Sequence, residues 1–489
     1  MSWAAWADSL SASSARRSMA HDFRCPERRQ TFLLPPDMRD WLPEDDIVHL
    51  ILDAVALIDL SALKAAHKLG GAGQAPFAPS MLLSVLIYAY SHGVRSSRAI
   101  ERLCGRDAGY RFIVGEHVPD HTVIARFRRR HVERLEMVFV RVLEMCRDAG
   151  LIRLGLVVLD GTKVAANASL EANRSAATID QQVARLVAEA ESTDQREDRL
   201  FGPEGRETLP KALARREDRL ARLRACQAKL ERQAAAAAAR QQAKIDARAA
   251  EEQATGKRWR GRKPKPADTS VDPDRVANPT DPESGIMKTR QGWVQGYNAQ
   301  AVVTPQQIIL AAEVTTEAND VQQLKPMLDL ARAVVERVMG EDAVLGAAAA
   351  DAGYWSEDNA ASQTAECELF IATRQDRQQR AELRDTPAPR GRMPKGLSAR
   401  ERMQRKLRTK RGRAIYRQRG ASVEPVFGQM KERQDAGRFS MRGLAACRGE
   451  WHLQAATHNL RKLHRDSVRR ARSATARHPN GHGTEQRTA

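Results

Sequence analysis

Apolar positions in the first third of the chain recur at helical spacing. Ile47, Ile51, Val55 and Ile58 lie three or four residues apart, directly after the acidic stretch PEDD, which is typical of a first helical turn. Further segments of helical character are SMLLSVLIYAYSHG, SSRAIERLCGRD and DHTVIARFRRRHVERLEMVFVRVLEMCRDAG. The pattern predicts an all-helical domain over residues 31–150, and a flexible extension over the small, polar residues 1–30.

After Leu151 the pattern changes to short β-type runs. They are LGLVVLD, GWVQGYNAQAVVT, QIILAAEV, VLGAAAAD and ELFIATR, and helical segments such as VQQLKPMLDLARAVVERVM lie between them. Strands interspersed with helices indicate an α/β domain, which we place at residues 151–463. Residues 464–489 have almost no apolar content, so a disordered basic tail is predicted there.

A long insertion at residues 175–285 separates the first predicted strand from the second. Its leucines are spaced by three, four and seven residues, at Leu209, Leu213, Leu220, Leu223 and Leu230. This spacing is typical of a short coiled coil, but the leucine seam spans few heptads. A self-packing helical hairpin is therefore favoured over a coiled coil that pairs protomers. A basic linker, GKRWRGRKPKP and the residues after it, ends the insertion.

The charge of the chain indicates its partner. Lys and Arg number 80 against 61 Asp and Glu, which gives a formal net charge of +19. Such a balance favours an extended polyanion, and double-stranded DNA is the first candidate. No apolar run approaches the roughly 20 residues that span a bilayer, and the N-terminus lacks the apolar region of a secretory signal. We therefore expect no membrane partner and a cytoplasmic protein, associated with the nucleoid when bound to DNA.

Two acids follow apolar runs that read as buried strands. Asp160 ends LVVLD, and Gly161 is expected to let the chain turn immediately afterwards. Asp351 likewise ends VLGAAAAD and is followed by Ala-Gly. Because open α/β sheets bind ligands at the carboxyl ends of their strands, the two acids predict a shared site. Capping of a turn is the alternative for each of them.

A third acid precedes a predicted helix. Glu424 stands before Pro425, which favours a helix start at this point. Lys431 lies seven residues further on, nearly two full turns, so both side chains face the same way. Residues 395–419 just before them are densely basic. This basic run suits the binding of phosphates beside the acids, and a merely solvated helix is the alternative.

Three carboxylates have a clear chemical use together. Two divalent cations about 4 Å apart activate an attacking oxygen and stabilise the leaving oxygen in phosphodiester chemistry. Oxygen ligands suit Mg²⁺, and Mn²⁺ is the other expected ion. The sequence contains no Gly-rich phosphate loop and no G-x-S-x-G elbow. Nucleoside triphosphatases and hydrolases with a nucleophilic serine therefore have no support.

Several phrases, in order, resemble a known family. They are LPEDD, YAYSHGVRSSRAIERLC, DHTVIARFRRRH, LDGTKVAANAS, GWVQGYNAQAVV, ADAGYWSE, VEPVFGQMK and RGEWHLQAATHNLRKL. Together they span most of residues 31–463. The chain resembles DDE-type transposases of bacterial insertion sequences, which combine an InsH-like helical N-terminal domain with an RNase H-like catalytic domain. The resemblance implies an α/β fold of the RNase H type, carrying a long helical insertion and preceded by an all-α domain.

The resemblance also implies roles for individual residues. Asp160, Asp351 and Glu424 correspond to the catalytic, metal-binding triad. Lys431 completes the E-x6-K element, whose amine is expected to contact transposon-end DNA. The related signature Y-x2-R-x3-E-x6-K is met except that four residues, not three, separate its Arg from Glu424. In this domain the residues expected to contact DNA are Tyr416, Arg419, Lys431 and Lys163.

The helical N-terminal domain offers a second DNA-binding candidate. Its last segments read as short helices that end in one bearing a basic cluster. The residues of this cluster are Arg126, Arg128, Arg129 and Arg130. Such an arrangement is typical of a helix-turn-helix that docks against DNA. The alternative is a bundle that merely packs on the catalytic domain.

The expected function is therefore transposition. Such a protein binds the terminal inverted repeats of its element, cleaves at the ends with metal-activated water, and joins the freed 3′-OH to target DNA. Because two ends are joined together, a homodimer or larger assembly on DNA is expected. The alternatives are a non-catalytic repressor derived from a transposase and a metal-dependent nuclease without strand transfer.

Overall fold

The computed structural model describes residues 38, 42–65, 75–201, 211–258 and 261–477. They divide into two compact units. The first unit holds residues up to Tyr90 together with Val94–His131, and the second holds Ser91–Gly93 and residues from Val132 onward. The predicted extension at residues 1–30 lies outside the described part. Among the helices that are described, none has both the length and the apolar character needed to cross a membrane.

The regular elements of the first unit are helices. Its described helices are α1 (Ile47–Ala56), α2 (Ser61–Lys64), α3 (Pro79–Ser91), α4 (Ser97–Cys104), α5 (Ala108–Val114) and α6 (His121–His131). The acidic stretch PEDD was expected to form the first turn of α1, but the helix begins only at Ile47, and Asp46 caps it by accepting the N–H of Val48 at 2.8 Å. Ile51 and Val55 of its apolar face are buried. The predicted helical N-terminal region is confirmed.

A mixed sheet forms the centre of the second unit. Its strands are β1 (Val157–Ala165), β4 (Gly285–Thr289), β5 (Gly292–Val303), β6 (Ile309–Thr315), β7 (Gly346–Ala350) and β8 (Cys367–Ile371). The order is β4-β5-β1-β7-β8, with β6 also paired to β5. Strand β1 is antiparallel to β5 and parallel to β7, and β7 is parallel to β8. The predicted α/β class is confirmed, and this sheet is consistent with an RNase H-like fold.

Helices flank the sheet and extend the unit. They are α7 (Leu135–Asp148), α10 (Leu324–Met339), α11 (Glu357–Ala361), α12 (Asp376–Asp385), α13 (Ala399–Arg408), α14 (Lys410–Arg433) and α15 (Leu444–Arg477). Helix α15 packs on α7 and β6. The indole N–H of Trp451 anchors α15 by donating to the carbonyl of Gln300 at 3.0 Å. Because α15 continues to Arg477, the disorder predicted from residue 464 is wrong for residues 464–477, and residues 478–489 lie outside the described part.

The insertion forms a helical hairpin. Helices α8 (Ala176–Phe201) and α9 (Lys211–Thr255) pack on each other. Their shared core contains Ile179, Leu186, Leu223, Cys226 and Leu230. Strands β2 (Arg174–Ser175) and β3 (Val276–Ala277) pair at its base. The self-packing hairpin favoured from the leucine spacing is thus the arrangement found.

Candidate active site

Asp160 and Asp351 stand level on neighbouring strands. Val158 of β1 pairs with Ala349 of β7 in parallel register, and the two acids lie two positions further along their respective chains. Asp351 follows the last residue of β7, as predicted. The prediction that Asp160 ends its strand is wrong, because β1 continues to Ala165. It continues since β5 remains paired with β1 beyond the point where pairing with β7 stops.

Gly161 serves close packing rather than a turn. It lies inside β1, opposite Gln300 of β5. A Cβ atom at this position would lie 2.3 Å from Nε2 of Gln300 and 2.8 Å from Oδ1 of Asp320. A side chain at position 161 would therefore displace polar groups that adjoin Asp160. The close approach of these groups accounts for the glycine.

Burial and charge shift the acidity of both aspartates. Burial raises the pKa of Asp160 to about 7, and the neighbouring Asp351 adds to this, while Arg419 and the N–H of Gly161 oppose it. Burial also raises the pKa of Asp351, against the influence of Arg419 and the N–H of Gly353. Two carboxylates that resist ionisation together are typical of a functional site, and a bound cation relieves their repulsion.

Tyr416 and Arg419 are buried beside these acids. One nitrogen of the Arg419 guanidinium, Nη1, lies 3.6 Å from Oδ2 of Asp160. The other, Nη2, donates to Oδ1 of Asp376 at 2.6 Å, and the Tyr416 hydroxyl donates to the same oxygen at 2.8 Å. Both side chains are only 4% exposed. The structure therefore gives them partners inside the protein, and their contact with DNA stays a prediction.

Glu424 is held apart from the two aspartates. Its Oε1 accepts a hydrogen bond from Nη2 of Arg380 at 2.6 Å, and its side chain is 54% exposed. The predicted helix start at this residue is wrong, because α14 runs from Lys410 to Arg433 with Pro425 inside it. Proline offers no N–H to the carbonyl of Ala421 four residues earlier. That carbonyl instead accepts from Nε2 of Gln307 at 3.2 Å, which helps the helix to continue.

A fourth acid, Asp320, lies next to the site. Its Oδ1 accepts hydrogen bonds from the side-chain amides of Asn298 at 2.6 Å and Gln300 at 2.7 Å. The ammonium of Lys163 is 3.4 Å from the same oxygen. Sequence reasoning missed Asp320, Asp376 and Arg380. The available signal for Asp320 was the pair of amides at alternate positions of YNAQAVV, where an apolar strand was expected.

The candidate acids line one open cleft of about 1400 Å³. Asp160, Asp351 and Glu424 all lie in its wall, and so does Asp376. Cationic side chains share the wall with them. They are Lys163, Lys288, Arg290, Arg377, Arg380, Arg419 and Lys431. The cleft thus combines carboxylates with the positive charges that bind phosphates.

The donor set fits a divalent metal in part. Asp160 and Asp351 supply oxygen ligands from adjacent strands, and burial raises the pKa of both. Within the described residues, no three His, Cys, Asp or Glu side chains are gathered so as to hold a metal. Glu424 does not join the aspartates, because Arg380 binds its carboxylate. Two members of the predicted triad are brought together and the third is not.

The predicted basic cluster of the first unit lies on α6. Arg126, Arg129 and Arg130 are exposed, so their contact with DNA stays a prediction. Arg128 does not belong to this exposed cluster, because it is buried. Its Nη1 donates to the carbonyl of Arg95 at 2.7 Å and to the hydroxyl of Tyr90 at 3.3 Å. The spacing of the four arginines did not reveal that one faces inward.

Comparison with known families gives two matches. A transposase domain, DUF772, matches residues 36–130, and a transposase DDE domain matches residues 391–464. The second match contains Glu424 and Lys431 but neither Asp160 nor Asp351. No curated protein and no solved structure matches the chain significantly. The chain carries both transposase domains in this order, which is consistent with a DDE-type transposase of insertion sequences.

Proposed function

We propose that the chain cleaves DNA at the ends of an insertion sequence and joins the freed 3′ ends to target DNA. One observation carries this proposal: Asp160 and Asp351 stand level on adjacent parallel strands, in a cleft whose wall is rich in lysine and arginine. Paired carboxylates serve metal-assisted phosphodiester chemistry, and the surrounding cations serve phosphate binding. The net charge of +19 suits double-stranded DNA, both terminal repeats and target, as the substrate.

The triad would act through two divalent ions. Asp160, Asp351 and Glu424 would hold Mg²⁺ or Mn²⁺, which would supply activation of the attacking oxygen and stabilisation of the leaving one. The carboxylates of Asp160 and Asp351 fix the position of this chemistry at the point where the pairing of β1 with β7 ends. Lys431 and Lys163 line the same cleft and are proposed to hold DNA phosphates beside the acids. Glu424 must leave Arg380 to join the other two acids.

The assembly follows from the reaction. Two element ends have to be held together before they are joined to a target, so we propose a homodimer or larger complex on DNA. The exposed arginines of α6, Arg126, Arg129 and Arg130, are proposed to bind the terminal repeats. With these substrates, the chain is proposed to act in the cytoplasm, at the nucleoid.

Amide variants of the triad test the proposal. Asp160→Asn, Asp351→Asn and Glu424→Gln keep size and packing but each removes an anionic ligand. We expect end cleavage in Mg²⁺ to fall by about a thousandfold or more in each. Binding to an end fragment without metal should persist, because it depends on cationic side chains.

Asp358→Asn is the matched control. Asp358 is an exposed acid in the first turn of α11, close to Asp351 in sequence but outside the wall of the cleft. The Asp358→Asn variant should cleave element ends as the wild type does. Wild-type cleavage by any triad variant, or equal damage from Asp358→Asn, would refute the assignment. Thermal melting of each variant separates lost chemistry from lost folding.

A further inference from the structure

Acids and arginines alternate in a continuous chain across the cleft. Asp160 lies 3.6 Å from Arg419, and Arg419 binds Asp376 at 2.6 Å. Asp376 also binds Nε of Arg380 at 2.7 Å, and Arg380 binds Glu424 at 2.6 Å. Two of the three proposed catalytic acids are thereby linked through three residues that the proposed reaction does not use. Asp376 is the middle member of this chain.

Asp376 is suited to hold both arginines at once. Its Oδ1 accepts from Arg419 and from the Tyr416 hydroxyl, while its Oδ2 faces Arg380. Although burial acts to raise the pKa of Asp376, hydrogen bonds from Tyr416 and Arg419 hold it below its usual value. Asp376 is also the first residue of α12, where a negative charge is favoured by the helix dipole. The carboxylate is therefore ionised and fixed in place.

We propose that Asp376 is a positioning residue that sets the counter-charges of the catalytic acids, with Arg419 directed to Asp160 and Arg380 to Glu424. This role rests on the proposed function. In this role Arg419 acts electrostatically inside the protein, because it is buried and has two carboxylate partners. It also explains why Glu424 stands apart from the aspartates, since Arg380 is held between Glu424 and Asp376.

The arrangement makes the affinity for metal depend on Asp376. Because the Arg419 guanidinium is shared between two carboxylates, its attraction to Asp160 is weaker than it would be without Asp376. If Asp376 is neutral, Asp160 becomes the nearest anionic partner of Arg419. The Arg419 guanidinium then competes with a divalent cation for the Asp160 carboxylate. If Arg380 is neutral, Glu424 is released toward the other acids, and a cation is bound more tightly. The two changes therefore act in opposite directions.

Titration calorimetry of the full chain with Mn²⁺, without DNA, measures these effects. We expect Asp376→Asn to weaken Mn²⁺ binding about fivefold or more, and Arg380→Gln to strengthen it about twofold or more. Asp376→Glu keeps the charge but moves the carboxylate, so it should fall between Asp376→Asn and the wild type. Asp385→Asn is the control, because Asp385 ends the same helix and pairs with the adjacent Arg384.

The outcomes separate this role from simpler explanations. Wild-type affinity in Asp376→Glu, with weak binding in Asp376→Asn, would reduce Asp376 to a general negative charge and overturn positioning. Unchanged or weaker binding in Arg380→Gln also overturns it, and this variant alters a half-exposed side chain, so it tests the role even if Asp376→Asn does not fold. Asp160→Asn distinguishes the two proposals. If Asp160→Asn binds Mn²⁺ normally, the proposed metal site fails; if only Asp376→Asn does, the positioning role alone fails.

Discussion

The ammonium of Lys431 donates a 2.6 Å hydrogen bond to the hydroxyl of Thr162. Thr162 lies two residues after Asp160 on β1, so this contact brings the last turns of α14 to the edge of the candidate site. Burial lowers the pKa of Lys431, and the charge of Asp160 opposes the shift. The contact with Thr162 therefore places the lysine of the E-x6-K element beside the acid on β1.

Replacement of Lys431 should weaken DNA binding through the loss of one phosphate contact. In Lys431→Gln we expect the slope of log affinity against log salt concentration to decrease in magnitude by about 0.9. Titration of an end fragment from low to high salt measures this slope. Lys325→Gln, a change of an exposed lysine on α10 outside the cleft, should keep the wild-type slope. Equal slopes for Lys431→Gln and the wild type would exclude the proposed contact.

The raised pKa of Asp160 predicts a pH effect on stability. In the unfolded chain this carboxyl ionises near its ordinary value of 3.8, whereas burial delays ionisation in the native state until about pH 7. The native state therefore holds more protons between these values, so this group lowers stability as pH rises from about 4 to about 7. The free energy of unfolding of Asp160→Asn minus that of the wild type should therefore increase by about 1 to 3 kcal/mol from pH 5 to pH 8.

Urea unfolding in the presence of a chelator measures this difference. Tryptophan fluorescence, to which the buried Trp451 of the second unit contributes, follows the unfolding. Asp358→Asn, an exposed acid with no share in the site, should track the wild type at both pH values. If Asp160→Asn and the wild type differ in stability by the same amount at pH 5 and at pH 8, the pKa of Asp160 is not raised.

The sequence was most informative where the spacing of apolar residues within one segment determines the structure. The apolar runs predicted β1 and β7, and the acids that follow them, Asp160 and Asp351, are level on adjacent strands. The leucine seam of the insertion was too short for an extended coiled coil, and this favoured the packed hairpin that is found. In each case the relevant partner lies in a neighbouring strand or helix whose periodicity is visible.

The errors arose where distant segments supply the partner. Pro425 reads as a helix start until Gln307, far away in sequence, is seen to bind the carbonyl of Ala421. Gly161 reads as a turn until Gln300 and Asp320 are seen to occupy the space of its side chain. The pairing of Glu424 with Arg380 also depends on tertiary packing, and no spacing along the chain indicates it.

Asn459 joins α15 to the sheet and should be important for stability. Its side-chain amide donates to the carbonyl of Ile309 at 2.9 Å, and its Oδ1 accepts the N–H of Ile309 at 2.9 Å. Asn459→Leu leaves both buried backbone groups without these partners. We expect a loss of about 2 to 4 kcal/mol in the free energy of unfolding. Asn319→Leu, at an exposed position, should change it by less than about 0.5 kcal/mol, and similar values for both variants would exclude the anchor.

The insertion should be removable without unfolding the second unit. Ser175 and Val276 are paired at its base, so the chain leaves and returns at adjacent points. A two-residue Asn-Gly turn in place of residues 176–275 suits this geometry. The buried leucines Leu223 and Leu230 lie in the core of the hairpin, which leaves them unavailable for pairing protomers.

We therefore expect the shortened chain to keep the melting temperature of the second unit and the wild-type mass in solution, with and without end DNA. Calorimetry and light scattering measure the two quantities. Leu223→Asp in the full chain is the companion variant. It should loosen the hairpin but leave assembly unchanged, because its effect is confined to the hairpin core. A smaller assembly on DNA after excision would instead show that the exposed surface of the insertion pairs protomers, the coiled-coil alternative to a purely internal hairpin.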